Sequence, residues 1–350
     1  MRVAAVVVTH NRPQLLLQAL AALRAQTRPL DAIYVVDNPG AATGSAPEPG
    51  HVDGVTLLRP DTNLGGAGGF ALGMAQAFAA GHDWIWLLDD DAMARPDALA
   101  HLLAVAVPAR PAAGPGPGPG PGTSMGAAAD AGSAVMRGAG ALCGTVREFG
   151  DIALRHRRRY HLATGIERPL PRAAYDGPPC RVDTASFVGF LVSAAAIAEV
   201  GMPARAFFLG YDDTEYSLRL RRAGLPLWLV PDSVVEHLRA RRARLRAGPF
   251  GPRHYFTIRN RLAVARAYAT LPLVPTAVGL LFGLALWAGS GGRLRRGAVR
   301  ILLRALGDGL NRRLGPFPEA LAPLHRPPGT SPSAGTPSGR RTGCPSATRR

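Results

Sequence analysis

The chain has 350 residues, 47% of them hydrophobic, and a formal net charge of +17. That length holds one large domain or two small ones with ample core, and Cys143, Cys180 and Cys344 lie too far apart for a CxxC or zinc spacing. The charge is lopsided: from Arg239 onward 21 Arg face only Asp308 and Glu319, while the first 238 residues hold 20 Arg and 22 acidic residues. A near-neutral body therefore precedes a basic third suited to a polyanionic surface, either anionic lipid or nucleic acid.

Val3–Thr9 is a short β-branched apolar run that reads as a buried strand, too short for a signal peptide. Pro13 can open a helix carrying Leu15, Leu16, Leu20 and Leu23 at helical spacing. Ile33–Val36 and Val55–Arg59 read as strands, and Gly69–Ala80 as a helix after a glycine-rich turn. Trp84–Leu88 is a strand running into Asp89-Asp90-Asp91, and Pro96–Val107 a helix. This alternation implies a mostly parallel α/β sheet, in which ligands bind beyond the carboxyl ends of the strands. Asn11, Asp37 and the acidic triplet all follow strands and are expected to converge there.

Residues 108–135 read as a flexible insertion around the Pro/Gly run Pro111–Gly122. Gly140–Thr145 and Val182–Ser193 read as later strands of the same body. Phe207–Gly224 is an acidic cluster followed by a helix with a Gly stop, and Leu227–Val230 is a last short strand leading to His237. Leu271–Gly289 is apolar and uncharged, and residues 323–350, rich in Pro, Ser, Gly and Arg, are expected to be disordered.

Three stretches could carry chemistry. On an extended strand Asp89 and Asp91 point to one side and Asp90 to the other. Two carboxylates together at a strand end suit Mg2+ or Mn2+, the alternative being a solvated acidic turn. Asn63-Leu-Gly-Gly-Ala-Gly-Gly69 lacks the Gly-Lys-Ser/Thr of a P-loop, and offers either backbone N–H groups to a phosphate or only a tight turn. Asp212, Asp213 and Glu215 are either favourable charges at a helix N-terminus or a general base beside an acceptor.

In this order, residues 3–265 resemble the inverting family-2 glycosyltransferases of GT-A fold, especially actinobacterial galactofuranosyltransferases and their rhamnosyltransferase-like relatives. Val-Val-Thr-His-Asn-Arg12 is similar to the family's nucleotide-binding opening. Val35-Val-Asp-Asn38 is similar to the segment that contacts the base, and Asn63–Met74 to a galactofuranosyltransferase signature. Asp89-Asp-Asp91 takes the place of the DxD metal motif. Tyr211-Asp-Asp-Thr-Glu-Tyr216 resembles the W-D-D-x-E/D-Y acceptor motif, with Tyr211 for Trp. Tyr255–Arg261 resembles a segment that follows the catalytic domain.

The resemblance implies a mostly parallel mixed sheet flanked by helices over residues 1–240, the nucleotide-diphospho-sugar transferase fold. A cation, Mn2+ or Mg2+, would be held by Asp89, Asp91 and His237. Thr9, Asn11, Arg12, Asp37, Asn63, Gly65, Gly66 and Asp90 would line the nucleotide sugar. Asp213 would be the base, with Asp212 as the alternative. The donor would be UDP-galactofuranose or dTDP-rhamnose, and the acceptor a polyprenyl-linked cell-wall glycan.

Residues 241–322 read as a basic, partly apolar helical extension. Pro272, Pro275, Gly279, Gly283 and arginines on both sides favour an in-plane or re-entrant helix over a single span, the alternative being a core helix. Anionic membrane, at the cytoplasmic face of the plasma membrane, is therefore the expected surface partner. Nucleic acid is not expected, because residues 239–350 hold few aromatics and no nucleic-acid motif. A sugar-nucleotide pyrophosphorylase would need a basic glycine-rich loop that Val3–Arg12 lacks.

Overall fold

The computed structural model describes residues 1–40, 54–106, 138–238, 245, 249–271, 273–291 and 294–321. The Pro/Gly insertion and the expected disordered tail lie outside the described residues. In chain order the strands are β1 (Val3–Thr9), β2 (Ala32–Asp37), β3 (Val55–Leu58), β4 (Trp84–Asp89), β5 (Ala92–Ala94), β6 (Ala141–Glu148) and β7 (Asp151–Ile152). They continue with β8 (Arg157–His161), β9 (Ile166–Pro169), β10 (Cys180–Val182), β11 (Thr184–Ala185), β12 (Phe190–Ser193) and β13 (Leu227–His237). The helices are α1 (Pro13–Arg24), α2 (Gly65–Ala79), α3 (Ala98–Val105), α4 (Ala194–Val200), α5 (Asp212–Arg222), α6 (Pro252–Tyr268), α7 (Leu273–Ala288) and α8 (Arg296–Leu310).

The main sheet runs β10-β13-β6-β12-β4-β1-β2-β3, with β5 on β13 and β7 on β6. It is parallel through β4-β1-β2-β3 and between β6 and β13, and antiparallel where β12 sits between β4 and β6. The unbroken apolar run of β1 follows from burial on both faces. Val3, Ala5 and Val7 meet Leu16, Leu20 and Leu23 of α1, while Ala4, Val6 and Val8 belong to the opposite core with Phe70 and Met74 of α2.

Three expectations change. The glycine run is not a turn before the helix but the first turns of α2, in which Gly69 lets the helix close onto β1: a Cβ there would lie 2.7 Å from Val8 Cγ1. Val182–Ser193 is three short strands rather than one, since Thr184–Ala185 leaves the main sheet for a second one, β11-β8-β9. The short strand at Leu227 extends to His237 through a register shift between Val230 and Val234.

Met1–Phe317 is one compact unit, so α6, α7 and α8 belong with the sheet. Gly279 and Gly283 of α7 face Leu262 and Ile258 of α6, where a Cβ would crowd those side chains. The second unit, Pro318–Arg350, is described only through a 3-10 turn at Glu319–Leu321.

Candidate active site

The parallel register pairs Thr9 with Asp37 and Val8 with Asp89, so β1, β2 and β4 end together at one edge of the sheet. β13 ends beside them, because its His237 pairs with Ala92 on β5, immediately after the acidic triplet. His237 Nε2 is 3.0 Å from Asp91 Oδ1. One ligand atom from each of Asp89, Asp91 and His237 lies within 4.8 Å of the others.

The electrostatics of this trio fit a divalent cation. Burial first, then repulsion from Asp91 and Asp90, push the Asp89 carboxyl up to about 7. Among the described residues none hydrogen-bonds to or ion-pairs with that carboxylate, which leaves it the charge most in need of a counterion. Asp91 is lowered, because the hydrogen bond from His237 and the charges of His237 and Arg12 outweigh burial. Burial opposes the His237 charge, but hydrogen bonds to Asp91 and Glu148 outweigh it and raise the imidazole to about 9. Two carboxylates and one imidazole are a donor set that Mn2+ or a similar ion accepts.

β4 ends at Asp89, so Asp90 and Asp91 lie in a turn and the expected strand alternation does not extend to them; Asp90 is bonded beside the trio. Its Oδ2 accepts from Thr9 Oγ1 at 2.7 Å, and its Oδ1 from Arg12 Nη1 at 2.9 Å. The same Arg12 nitrogen donates to Asp91 Oδ2 at 2.8 Å, so Arg12 ties the start of α1 to the triplet. Asn11 takes a positive φ of 56° in the turn after β1. Asp37 lies at the end of β2, 3.7 Å from Arg59 Nε.

The turn into α2 is a local hydrogen-bonded device. Asn63 Oδ1 accepts from Gly65 N at 2.8 Å, and Asn38 Oδ1 from Leu64 N at 2.9 Å. Gly65 has φ +68°, and a Cβ there would strike the carbonyl of Phe208, so glycine is required twice over. Gly66 borders open space.

Asp212 and Asp213 open α5 after Tyr211, which is left-handed at φ 66°. The loop before them is clamped from two sides. Ala67 N of α2 donates to Phe208 O, and Asn260 Nδ2 of α6 donates to the carbonyls of Phe207, Leu209 and Gly210 at 3.1, 3.1 and 2.7 Å. Arg259 Nη2 adds a bond to Phe207 O at 2.8 Å. Burial, then Asp213 and Asp89, raise the Asp212 carboxyl well above its ordinary range. Burial also raises Asp213, but the Arg158 guanidinium pulls against it. The Asp212–Asp213 pair thus reaches the candidate metal ligands electrostatically through Asp212 and Asp89.

Sequence reasoning missed Glu148, at the end of β6. Its Oε1 lies 2.8 Å from His237 Nδ1 and 3.1 Å from His156 Nε2, and Arg155 pairs with the same carboxylate. Burial is outweighed by these partners, which hold Glu148 far below the usual carboxylate range, while burial pushes His156 down to about 3. Glu148, His156 and His237 also form a compact trio. The saturation of Glu148 by three donors suits it to orienting His237 rather than to ligating. A polar residue ending an apolar strand was the available signal, as at Asp37. No comparable signal marks Arg158, which sits in a run of arginines.

Residues 1–248 match the family described as glycosyltransferase like family 2. The chain belongs to that family and is a glycosyltransferase. Over 238 residues it is 36% identical to galactofuranosyltransferase GlfT1 of Mycobacterium tuberculosis (strain CDC 1551 / Oshkosh), a match covering 67% of this chain and 69% of that one. Its fold is similar to S. aureus TarS 1-349 in complex with UDP-GlcNAc, at TM-score 0.53 and 11% identity over 92% of this chain and 83% of that one. It is similar also to GalNAc-T7 with UDP, GalNAc and Mn2+, at TM-score 0.53 and 12% identity over 89% of this chain and 56% of that one. At such identities these structures speak to the fold, which is GT-A-like.

Proposed function

We propose that the chain transfers galactofuranose from UDP-galactofuranose to a hydroxyl of a polyprenyl-linked cell-wall glycan, with inversion, at the cytoplasmic face of the plasma membrane. The observation that supports this most is the 36% identity to GlfT1 over 238 residues. Thr9, Asn11, Arg12, Asp37, Asn63, Gly65, Gly66 and Asp90 line the nucleotide-sugar side. Asp89, Asp91 and His237 would hold the cation, with Mn2+ favoured over Mg2+ because an imidazole is among the ligands. Bound there, a divalent cation supplies charge neutralisation to the departing diphosphate.

Asp213 takes the proton of the acceptor hydroxyl, whose oxygen attacks the anomeric carbon from the face opposite the nucleotide. The bond from that carbon to the diphosphate breaks in the same displacement, so configuration inverts without a covalent enzyme intermediate. Asp213 is preferred to Asp212 because Arg158 favours its ionised form, whereas Asp212 faces two other carboxylates.

The test is a donor screen with the purified chain, Mn2+ and a polyprenyl-linked glycan acceptor, read by product mass and anomeric NMR. Turnover of UDP-galactofuranose with inversion is the expected result. Turnover of dTDP-rhamnose alone would assign rhamnosyl transfer instead, and a retained configuration would overturn the single displacement.

A further inference from the structure

We infer that α7 lies in the plane of an anionic bilayer, its outward stripe seated among the lipids and the arginines at its C-terminal side on the headgroups. The inference rests on the lipid-linked acceptor of the proposed function for its purpose, but its evidence is separate. α7 buries one stripe, Pro275, Gly279, Gly283 and Leu286, against the body. At 100° per residue the opposite stripe holds Leu273, Ala277, Leu281, Leu284 and Ala288, and each of these is exposed. Leu273 is 85% and Leu281 66% exposed, and Leu294 just beyond the helix is 81% exposed. A soluble surface rarely gathers so many large apolar side chains in one place.

The stripe carries no charge, yet the chain just beyond it is basic. Arg295, Arg296 and Arg300 are exposed on and before α8, where Leu303 is also exposed. From 249 to 317 the one acidic residue is Asp308, which is buried and bonded to Tyr255 and Arg304. An apolar face bordered by uncompensated arginine matches an anionic membrane interface, with acyl chains for the leucines and phosphates for the guanidinium groups. A second protein copy would bring the same positive charge against itself.

The helix is also too short to span a bilayer. Sixteen residues extend about 24 Å, less than the roughly 30 Å of a hydrocarbon core. Among the described residues no helix is long and apolar enough to cross a membrane. The docking places the acceptor loop near the lipid, because Arg261 of α6 stacks on Phe282 of α7 at 4.6 Å and donates to the Tyr211 hydroxyl at 3.3 Å.

The experiment is flotation of the full chain with vesicles of phosphatidylcholine, with and without 30% phosphatidylglycerol as a chosen loading of about one anionic lipid in three. Binding is expected with the anionic vesicles and weakens with salt. The double variant Leu281→Glu/Leu284→Glu is expected to abolish it. Replacing Arg295, Arg296 and Arg300 by Gln should weaken it by on the order of a hundredfold, about fivefold for each charge. UDP affinity and the unfolding temperature of each variant, expected unchanged, separate loss of docking from loss of fold. Vesicle binding needs no sugar donor, so it can succeed where the donor assignment fails. Undiminished binding by the Glu variants would overturn the inference. So would a concentration-dependent dimer, seen by sedimentation, that these variants dissociate.

Discussion

Nε2 of His237 lies 3.0 Å from Oδ1 of Asp91, although 146 residues separate them in the chain. Removing either member should remove the cation. Asp91→Ala, and to a lesser degree Asp89→Ala, is expected to lower turnover by about 10²–10³-fold, as loss of one electrostatic stabiliser does, while far-UV circular dichroism stays unchanged. EDTA should silence the unmodified enzyme, and Mn2+ should restore it better than Mg2+. Full activity in EDTA would end the metal assignment.

The same contact makes cation binding depend on pH, with a definite sign. Protons compete with the cation for His237, which is raised to about 9, and for Asp89, which is raised to about 7. Binding therefore weakens as pH falls. The apparent Mn2+ affinity should drop about tenfold per pH unit between 9 and 7, and more steeply below 7, where a second proton must leave. Electron paramagnetic resonance of free Mn2+ across this range measures the slope, and a flat profile would contradict the ligand set.

Glu148 holds the far side of the His237 ring at 2.8 Å. Glu148→Gln keeps the size but loses the charge that orients and favours the Nδ1–H donor. A loss of about 10–100-fold in Mn2+ affinity is expected, with UDP affinity measured without metal unaffected. Glu148→Asp should recover part of it. Equal Mn2+ affinity in wild type and Glu148→Gln would make the contact merely structural.

Asp213→Asn should lower kcat by about 10²–10⁴-fold, the usual worth of a general base, and leave the donor Kd near its original value. The carboxylate acts on the acceptor, so donor binding has no reason to change. Should Asp212→Asn be the inactive variant and Asp213→Asn the active one, the base is Asp212.

Asn260 serves three loop carbonyls from one amide nitrogen. Asn260→Ala is expected to destabilise the fold by about 1–3 kcal/mol, the penalty of unsatisfied buried groups, read by thermal unfolding. Asn260→Asp should be worse, since a carboxylate cannot donate and would repel the carbonyl oxygens. Because the loop leads into Asp212 and Asp213 at the start of α5, turnover should fall more than donor affinity.

Much of the scaffold can be read from local pattern. The run Val3–Thr9 announces a strand buried on both faces, and Trp84–Leu88 running into three aspartates places carboxylates at a strand end. The order of motifs from Thr9 to Tyr216 carries the family resemblance. Pro13, Gly224 and the leucine spacing of α1 set helix limits, because capping and periodicity act within a few residues.

What local pattern leaves open is decided by tertiary structure. It seats His237 against Asp91 because β13 lies parallel to β6 and turns past β5. It brings in Glu148 and Arg158, which no spacing marked. It makes the glycines after Asn63 a helix, with Gly69 closed onto Val8 of β1, and it shows which stripe of Leu271–Gly289 turns outward. The reason is that strand and helix periods are properties of neighbours in sequence, whereas a metal ligand set, a clamp or an exposed face depends on strand order and on what packs from elsewhere in the chain.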